Sequence, residues 1–254
     1  MSGVAEHYEA LLAERYSWMF GDFEARVAAQ RSLLQRLGVP APGPSSGRRA
    51  LDLGAGSGFQ SLALAEMGYR VTAVDTSRRL LAELEARRGA LPIEVVHADM
   101  LDVLDVPAVA AAREAGGYDV AVCMGDTLTH LAARGEVRRL FRSVRASLAP
   151  RGLFVLTFRD YTRPLAGLDR FIPVRATDDA IMTCVLEYEP DHVIVHDLLH
   201  ERTERGWELR KSAYRKLRLA PAWTAGALAD AGFGIEHQSE ESGICGIVAR
   251  AAAS

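Results

Sequence analysis

The sequence is poor in cysteine, has no excess of basic charge, contains no long apolar run and opens without an apolar leader, and each shortage removes a class of protein. Its three cysteines, Cys123, Cys184 and Cys245, are far apart and each lies in an apolar, strand-like stretch. A reduced thiol there behaves as a small hydrophobe, so no disulfide framework is expected. Lys and Arg number 30 against 33 Asp and Glu, a formal charge of −3 with the two signs interspersed. A polyanion needs a concentrated basic face, so nucleic acid is not expected as a partner. Near its start the sequence has Glu6, His7, Tyr8 and Glu9 where a signal peptide would carry basic charge and an apolar run, and no segment reaches the length of a membrane span. A cytoplasmic protein without a membrane anchor is the expectation. What is present, 254 residues of which 49% are hydrophobic and 25% charged, suits one α/β core with a sizeable insertion.

The hydrophobic pattern divides the chain into four stretches. Residues 1–47 read as two helices broken at Gly21-Asp22, with Asp22 able to cap the second, and then a Pro/Gly/Ser linker from Gly38 to Gly47 that no helix can cross. This arm carries Tyr8, Tyr16, Trp18 and Phe20 and is a candidate cap. Residues 48–159 alternate short apolar runs with amphipathic stretches; strands are predicted at 50–53, 70–74, 93–97, 119–124 and 153–158, with helices between and turns at Gly68, Gly116-Gly117 and Pro150-Arg151-Gly152. That alternation is the signature of a parallel sheet covered on both faces. From 160 to 220 the helices stop, and four strand-like runs with turns at Glu189-Pro190-Asp191 and Arg205-Gly206 predict an antiparallel insertion. Residues 221–254 add a helix starting at Pro221 and two last strands. The fold class expected is α/β: a doubly wound, Rossmann-like sheet of seven strands, with an N-terminal helical arm and an antiparallel β insertion after the fifth strand.

Chemistry enters where the first strand ends, in Leu51-Asp52-Leu53-Gly54-Ala55-Gly56-Ser57-Gly58. Glycines let the backbone turn sharply and approach a ligand, and the helix that follows offers unpaired N–H groups. The spacing is G-x-G-x-G, with Phe59 where a dinucleotide loop needs its third glycine, which tells against a pyrophosphate ligand. Asp75 closes the second strand, where a carboxylate can accept both ribose hydroxyls of an adenosine. Asp99, after the third strand, is placed to accept from the adenine amino group.

This combination resembles the class I S-adenosylmethionine-dependent methyltransferase family, whose motifs are matched by Leu51 to Gly58, Val71 to Ser77 and Ala98 to Met100. The resemblance covers residues 49 to 158 and implies S-adenosylmethionine as cofactor, held by Asp52, Gly54, Ala55, Gly56, Gly58, Asp75, Thr76, Asp99, Met100 and Met124. Within the family, several segments look like the glycine N-methyltransferase group. Gly21-Asp22 followed by Arg26 is similar to that group's N-terminal segment, which implies that Arg26 takes the cofactor's methionyl carboxylate, as a guanidinium fork suits. Cys123 to Leu131 is similar to its strand-end motif, with Asp126 standing where the glycine-methylating enzymes have asparagine. The resemblance implies a substrate against Gly125, the residue at position 126 and Arg159, and Tyr16 of the arm is a further candidate to line it; a carboxylate at Asp126 could pair with a substrate ammonium, and Asp126 or His130 could take its proton. Arg159, in Thr157-Phe158-Arg159-Asp160-Tyr161, would anchor a substrate carboxylate; Phe158 and Asp160 replace the group's His and Asn there.

A small soluble amine or amino-acid-like nitrogen is therefore the expected acceptor, and Tyr161, Tyr188, Trp207 and Tyr214 of the insertion would shape its pocket. O-methylation of a small metabolite, a nicotinamide-dependent oxidoreductase and a non-catalytic cofactor-binding regulator stay open as alternatives, and the sequence does not choose between monomer and homo-oligomer. His192, His196 and His200 recur four apart, but in a strand four residues span roughly 13 Å at about 3.3 Å each, so they cannot share an ion and no metal is expected.

Overall fold

A computed structural model describes residues 13–43 and 45–253 of the chain. The arm comes first, as α1 (Ala13–Met19) and α2 (Phe23–Arg36). Between them Gly21 turns at φ 85° and Asp22 Oδ1 accepts the Ala25 N–H at 2.7 Å, the cap that the sequence predicts. Strands and helices then alternate as β1 (Arg49–Leu53), α3 (Phe59–Glu66), β2 (Arg70–Asp75), α4 (Arg78–Arg87), β3 (Ile93–His97), α5 (Pro107–Glu114), β4 (Tyr118–Cys123), α6 (Arg134–Ser147) and β5 (Leu148–Arg159). Four strands without an α-helix follow, β6 (Phe171–Ala176), β7 (Ala180–Tyr188), β8 (His192–Thr203) and β9 (Gly206–Leu217), and α7 (Pro221–Asp230), β10 (Phe233–Glu241) and β11 (Ile244–Ala251) close the series.

The main sheet has seven strands in the order β10-β11-β5-β4-β1-β2-β3. Pairings from β5 through β3 are parallel, and β11 runs antiparallel to both of its neighbours. Successive residues of the inner strands enter opposite cores: Ala121 and Cys123 of β4 join Phe141 and Phe154 on one face, Val120 and Val122 join Phe59 and Leu64 on the other. Burial on both faces is why these strands read as unbroken apolar runs. Strand order reverses between β1 and β4, and in open α/β sheets the crevice outside such a reversal receives the ligand.

Two local features differ from the sequence reading. Pro150-Arg151-Gly152, expected to be a turn ahead of a strand at 153–158, lies inside β5: Tyr118 pairs with Leu148 and Val120 with Leu153, so the extra residues bulge out, with Arg151 at φ 62°. Short 3₁₀ turns at Met100–Asp105 and Thr127–His130 had no hydrophobic period long enough to announce them. The second sheet, β6-β7-β8-β9, is antiparallel throughout. Its buried side packs Met182 and Leu199 against Trp18 and Met19 of α1, and Val193 and Val195 against Tyr161 beyond β5. Among the described residues no helix is long and apolar enough to cross a membrane.

Candidate active site

The glycine loop after β1 is closely packed at Gly54 and Gly58 and open to a cavity at Gly54 and Gly56. Gly54, Gly56 and Gly58 have φ of 74°, 54° and 97°, a region costly for residues with a side chain. A Cβ on Gly54 would lie 2.1 Å from Thr127 Cγ2, and one on Gly58 would lie 2.3 Å from Leu84 Cδ1. Beyond Gly56 stands the ring of Tyr16, 3.5 Å from where a Cβ would be. Asp75 ties the loop to β2, its Oδ2 accepting the Gly56 N–H and its Oδ1 the Ser77 N–H, each at 2.8 Å. Burial raises its carboxyl above the usual range against the pull of those N–H groups.

Asp99 and Arg26 each offer an unused buried group. Asp99 Oδ1 accepts the Leu101 N–H at 2.9 Å, while its Oδ2 is buried with no hydrogen-bond partner, and so is Arg26 Nε. A buried polar atom without a partner costs about 1–3 kcal/mol, so Asp99 Oδ2 as acceptor and Arg26 Nε as donor are candidate contacts for a ligand.

Asp52 corrects an expectation. It is 1% exposed and lies under the loop, its Oδ2 accepting the Ser61 hydroxyl of α3 at 2.6 Å. Burial pushes its carboxyl up to about 7, with the Ser61 hydrogen bond working against it. Ala55, Gly58 and Met124 are likewise buried and are not in the cavity wall.

The crevice opens into a cavity of about 750 Å³. One end is formed by Gly54, Gly56, Asp75, Thr76, Asp99 and Met100, the other by His130, Leu131, His192, Ile194, Tyr214 and Arg215, with Tyr16 and Thr127 also in its walls. The far end thus belongs to β8, β9 and the turn after β4. Of the four insertion aromatics, Tyr214 lines it and stacks on His130, ring centroids 5.5 Å apart and planes 26° apart. Tyr161 turns to Asp126, Tyr188 lies 5.6 Å from the Arg218 guanidinium, and Trp207 is exposed. The three histidines of β8 bond separately where partners are defined: His192 Nε2 to Ala132 O at 3.0 Å, His196 Nε2 to Glu187 Oε2 at 3.1 Å.

The arm spans both sheets. Ser17 donates to Glu83 of α4 at 2.6 Å, Arg15 pairs with Glu201 of β8 at 2.7 Å, and Phe20 packs on Phe59 at 5.4 Å. Of the arm's aromatics in the described residues, Tyr16 is the one that reaches the cavity; Tyr8 lies outside the described residues.

Asp126 also differs from expectation. Its Oδ1 accepts the Arg159 backbone N–H at 2.8 Å, and its Oδ2 accepts both the Tyr161 hydroxyl and the Lys216 ammonium at 2.6 Å. Burial alone would raise its carboxyl, but the Lys216 charge and these hydrogen bonds outweigh it and bring it down to about 2. So held, it takes no proton near neutral pH and has no room for a substrate ammonium. The Arg159 guanidinium is 52% exposed, stands 4.0 Å from Asp126 Oδ2 and is not in the cavity wall. Exposed pairs contribute about 0–1 kcal/mol, so Arg159→Ala should leave cofactor affinity unchanged and the melting temperature within a few degrees. A large loss of affinity in calorimetry would return Arg159 to the site. Gly125, next in line, donates its N–H to Thr157 Oγ1 at 2.7 Å.

Sequence reasoning missed Lys216 and Arg218. Arg218 donates to four main-chain carbonyls, those of Tyr161, Thr162, Glu189 and Pro190, at 2.6–3.1 Å, and so closes the second sheet onto the loop after β5. No local motif announces either residue.

A doubly wound sheet with a glycine crevice at its reversal, an acid at the end of β2 and an unsatisfied acid after β3 defines a Rossmann-like protein built for an adenosine-bearing cofactor. Residues 50–152 match the family described as a methyltransferase domain. Human glycine N-methyltransferase is 30% identical over 219 residues, 77% of this chain and 70% of that protein, and the chain belongs to the S-adenosylmethionine-dependent methyltransferase family. The cypemycin N-terminal methyltransferase of Streptomyces sp is 34% identical over 149 residues, 54% of this chain and 57% of that protein. A glycine/sarcosine N-methyltransferase of Parasynechococcus marenigrum is 27% identical over 168 residues, 64% of this chain and 55% of that protein. These two matches thus span little more than half the length of the relatives. Among solved structures, the CcbJ methyltransferase of Streptomyces caelestis shares the fold with a TM-score of 0.71 at 23% identity, over 99% of this chain and 97% of that one. The sugar N-methyltransferase KedS8 of Streptoalloteichus sp gives 0.68 at 19% identity, over 91% and 89%.

Proposed function

We propose that this chain transfers the methyl group of S-adenosylmethionine to a nitrogen of a small soluble molecule. The observation that carries this reading is the single cavity joining the Gly54, Asp75 and Asp99 end to the His130 and Tyr214 end. Asp75 would hold the ribose hydroxyls, Asp99 Oδ2 the adenine amino group and Arg26 the methionyl carboxylate; the unpartnered Asp99 Oδ2 and Arg26 Nε support this fit. When bound, S-adenosylmethionine supplies an already activated methyl on a sulfonium, so the protein's part is to align the acceptor and exclude water.

The chain's residues divide that work. Tyr16 closes over Gly56, and the Tyr214 and His130 rings face the acceptor's end of the cavity. An amine nucleophile needs only to arrive neutral, and His130 and His192 are the imidazoles in the cavity wall able to take a proton afterwards. Nitrogen is favoured over oxygen because relatives named for glycine, sarcosine and a peptide N-terminus act on nitrogen. A zwitterionic amino acid is disfavoured, because Asp126 is occupied by Lys216 and Arg159 lies outside the cavity.

Calorimetry with S-adenosylmethionine and S-adenosylhomocysteine tests the cofactor. Release of S-adenosylhomocysteine with glycine, glucosamine, benzylamine and phenol tests the acceptor. Both cofactor forms should bind, and glucosamine or benzylamine should outrun glycine and phenol. No cofactor binding would reject the reading, and turnover with phenol alone would move it to oxygen.

A further inference from the structure

Lysine is scarce in this chain: of its 30 Lys and Arg residues only Lys211 and Lys216 are lysine, and Lys216 is 7% exposed. Its neighbours in the β8–β9 ladder show what it faces. Lys216 pairs with Val193 and Tyr214 with Val195, and Val193 and Val195 belong to the packed side of the second sheet. Lys216 and Tyr214, two apart, therefore point the same way. Lys216 Nζ meets Asp126 Oδ2 at 2.6 Å and lies 5.7 Å from the Tyr161 ring and 5.6 Å from the Tyr214 ring. Asp126 opens the 3₁₀ turn that His130 ends, and His130 is the residue on which Tyr214 stacks. Strand and turn are thus joined twice, by the ion pair at one point and by the ring stack at the other, and the second junction is the wall of the cavity.

We propose that the Asp126–Lys216 ion pair positions the acceptor end of the cavity, holding β9 against the turn after β4 so that Tyr214 and His130 face each other, and keeping Asp126 from touching the acceptor. The naming of that end rests on the proposed methyl transfer; the positioning itself does not. A buried ion pair adds little net stability over an apolar pair of similar volume, but it is directional, and losing one partner strands the other charge. An ammonium suits the place: it is compact, gives its hydrogen bonds in any direction and lies near both tyrosine rings, whereas a guanidinium fork would call on both carboxylate oxygens and Asp126 Oδ1 already accepts the Arg159 N–H.

The test uses the full chain as wild type, Lys216→Met, Asp126→Asn, the double variant and Tyr214→Leu as a reference for loss of the stack. Lysine Nζ is labelled with ¹⁵N and the ring protons of His130 are followed by NMR. Wild type should give one slowly exchanging ammonium signal, from Lys216, which Asp126→Asn removes. Lys216→Met should move the His130 ring resonances toward their position in Tyr214→Leu, and the double variant, which lacks the pair but leaves no charge stranded, should keep them displaced. His130 resonances that stay in place in folded Lys216→Met overturn the proposal. If Lys216→Met does not fold, the double variant, which lacks the pair but strands no charge, decides: a displaced His130 position supports the pair and a wild-type one rejects it. Calorimetry with S-adenosylmethionine on wild type separates the two readings, since absent binding counts against methyl transfer and leaves the His130 result standing.

Discussion

Asp75→Ala is expected to weaken binding of S-adenosylmethionine by about 100-fold or more while the chain stays folded. Both oxygens of this carboxylate clamp the glycine loop, through the N–H groups of Gly56 and Ser77 at 2.8 Å each, and it lies in the cavity wall where the ribose would rest. A hydrogen bond to a charged group contributes about 1.5–3 kcal/mol, so loss of two ribose hydrogen bonds removes roughly 3 kcal/mol or more, which is about 100-fold in affinity. Stability should fall by a few kcal/mol at most: the Gly56 and Ser77 N–H groups lose their acceptor, and relief of the buried carboxyl's desolvation offsets part of that. Asp75→Asn keeps one accepting oxygen and should fall between. Titration calorimetry with S-adenosylhomocysteine reads the effect, and an unchanged affinity in Asp75→Ala would put the ribose elsewhere.

The second large effect concerns stability against pH and comes from Asp52. Its carboxyl is raised from 3.8 to about 7, first by burial, with the Ser61 hydrogen bond opposing and the charge of Asp75 adding. Between those values the folded protein keeps a proton that the unfolded chain has released. The contribution of Asp52 is therefore complete below the unfolded pKa and is lost as pH rises through about 7. At about 1.4 kcal/mol per pH unit this amounts to at most about 4 kcal/mol, and Asp75, also raised, acts in the same direction. Asp126, lowered to about 2, works the other way: its contribution is present above 3.8 and disappears as pH falls through 2. Wild type should thus lose stability from mildly acidic to mildly alkaline pH. Asp52→Asn should show a shallower decline and be the more stable protein on the alkaline side. Denaturant melts across that range check this, and equal slopes for the two proteins would reject it.

The core strands were legible because each is apolar on both faces and bounded by turn residues, as in Leu51-Asp52-Leu53-Gly54. Asp75 and Asp99 were legible for a related reason: a strand end fixes where a carboxylate emerges even before its partners are known. Asp52 misled because a residue next to the loop can point under it as readily as over it, and the strand's alternation, with Leu51 and Leu53 both in one core, already sends Asp52 to the opposite side. At the acceptor end His130 and Tyr214 were legible singly in the sequence, but Lys216 and the way the three meet were not. His130, Tyr214 and Lys216 meet through pairings between segments some ninety residues apart, and no local period encodes such a meeting. The aspartate at 126, where the resemblance has asparagine, marked an added charge without naming its partner, which the structure shows to be Lys216.

The order of strands in the main sheet also sets a schedule for synthesis. Residues 49–123 supply β1 to β4, which lie side by side, and β5 joins them as soon as Arg159 is made. The other edge of β5, with Leu153 to Phe158, is paired by β11 alone, whose first residue is Ile244. A ribosome adding about 5–20 residues per second leaves that apolar edge open for several seconds while the whole second sheet is being made. An unpaired edge of this kind is a template for the wrong strand, so the nascent chain is most exposed to misassembly after its cofactor crevice has formed and before its last strand arrives.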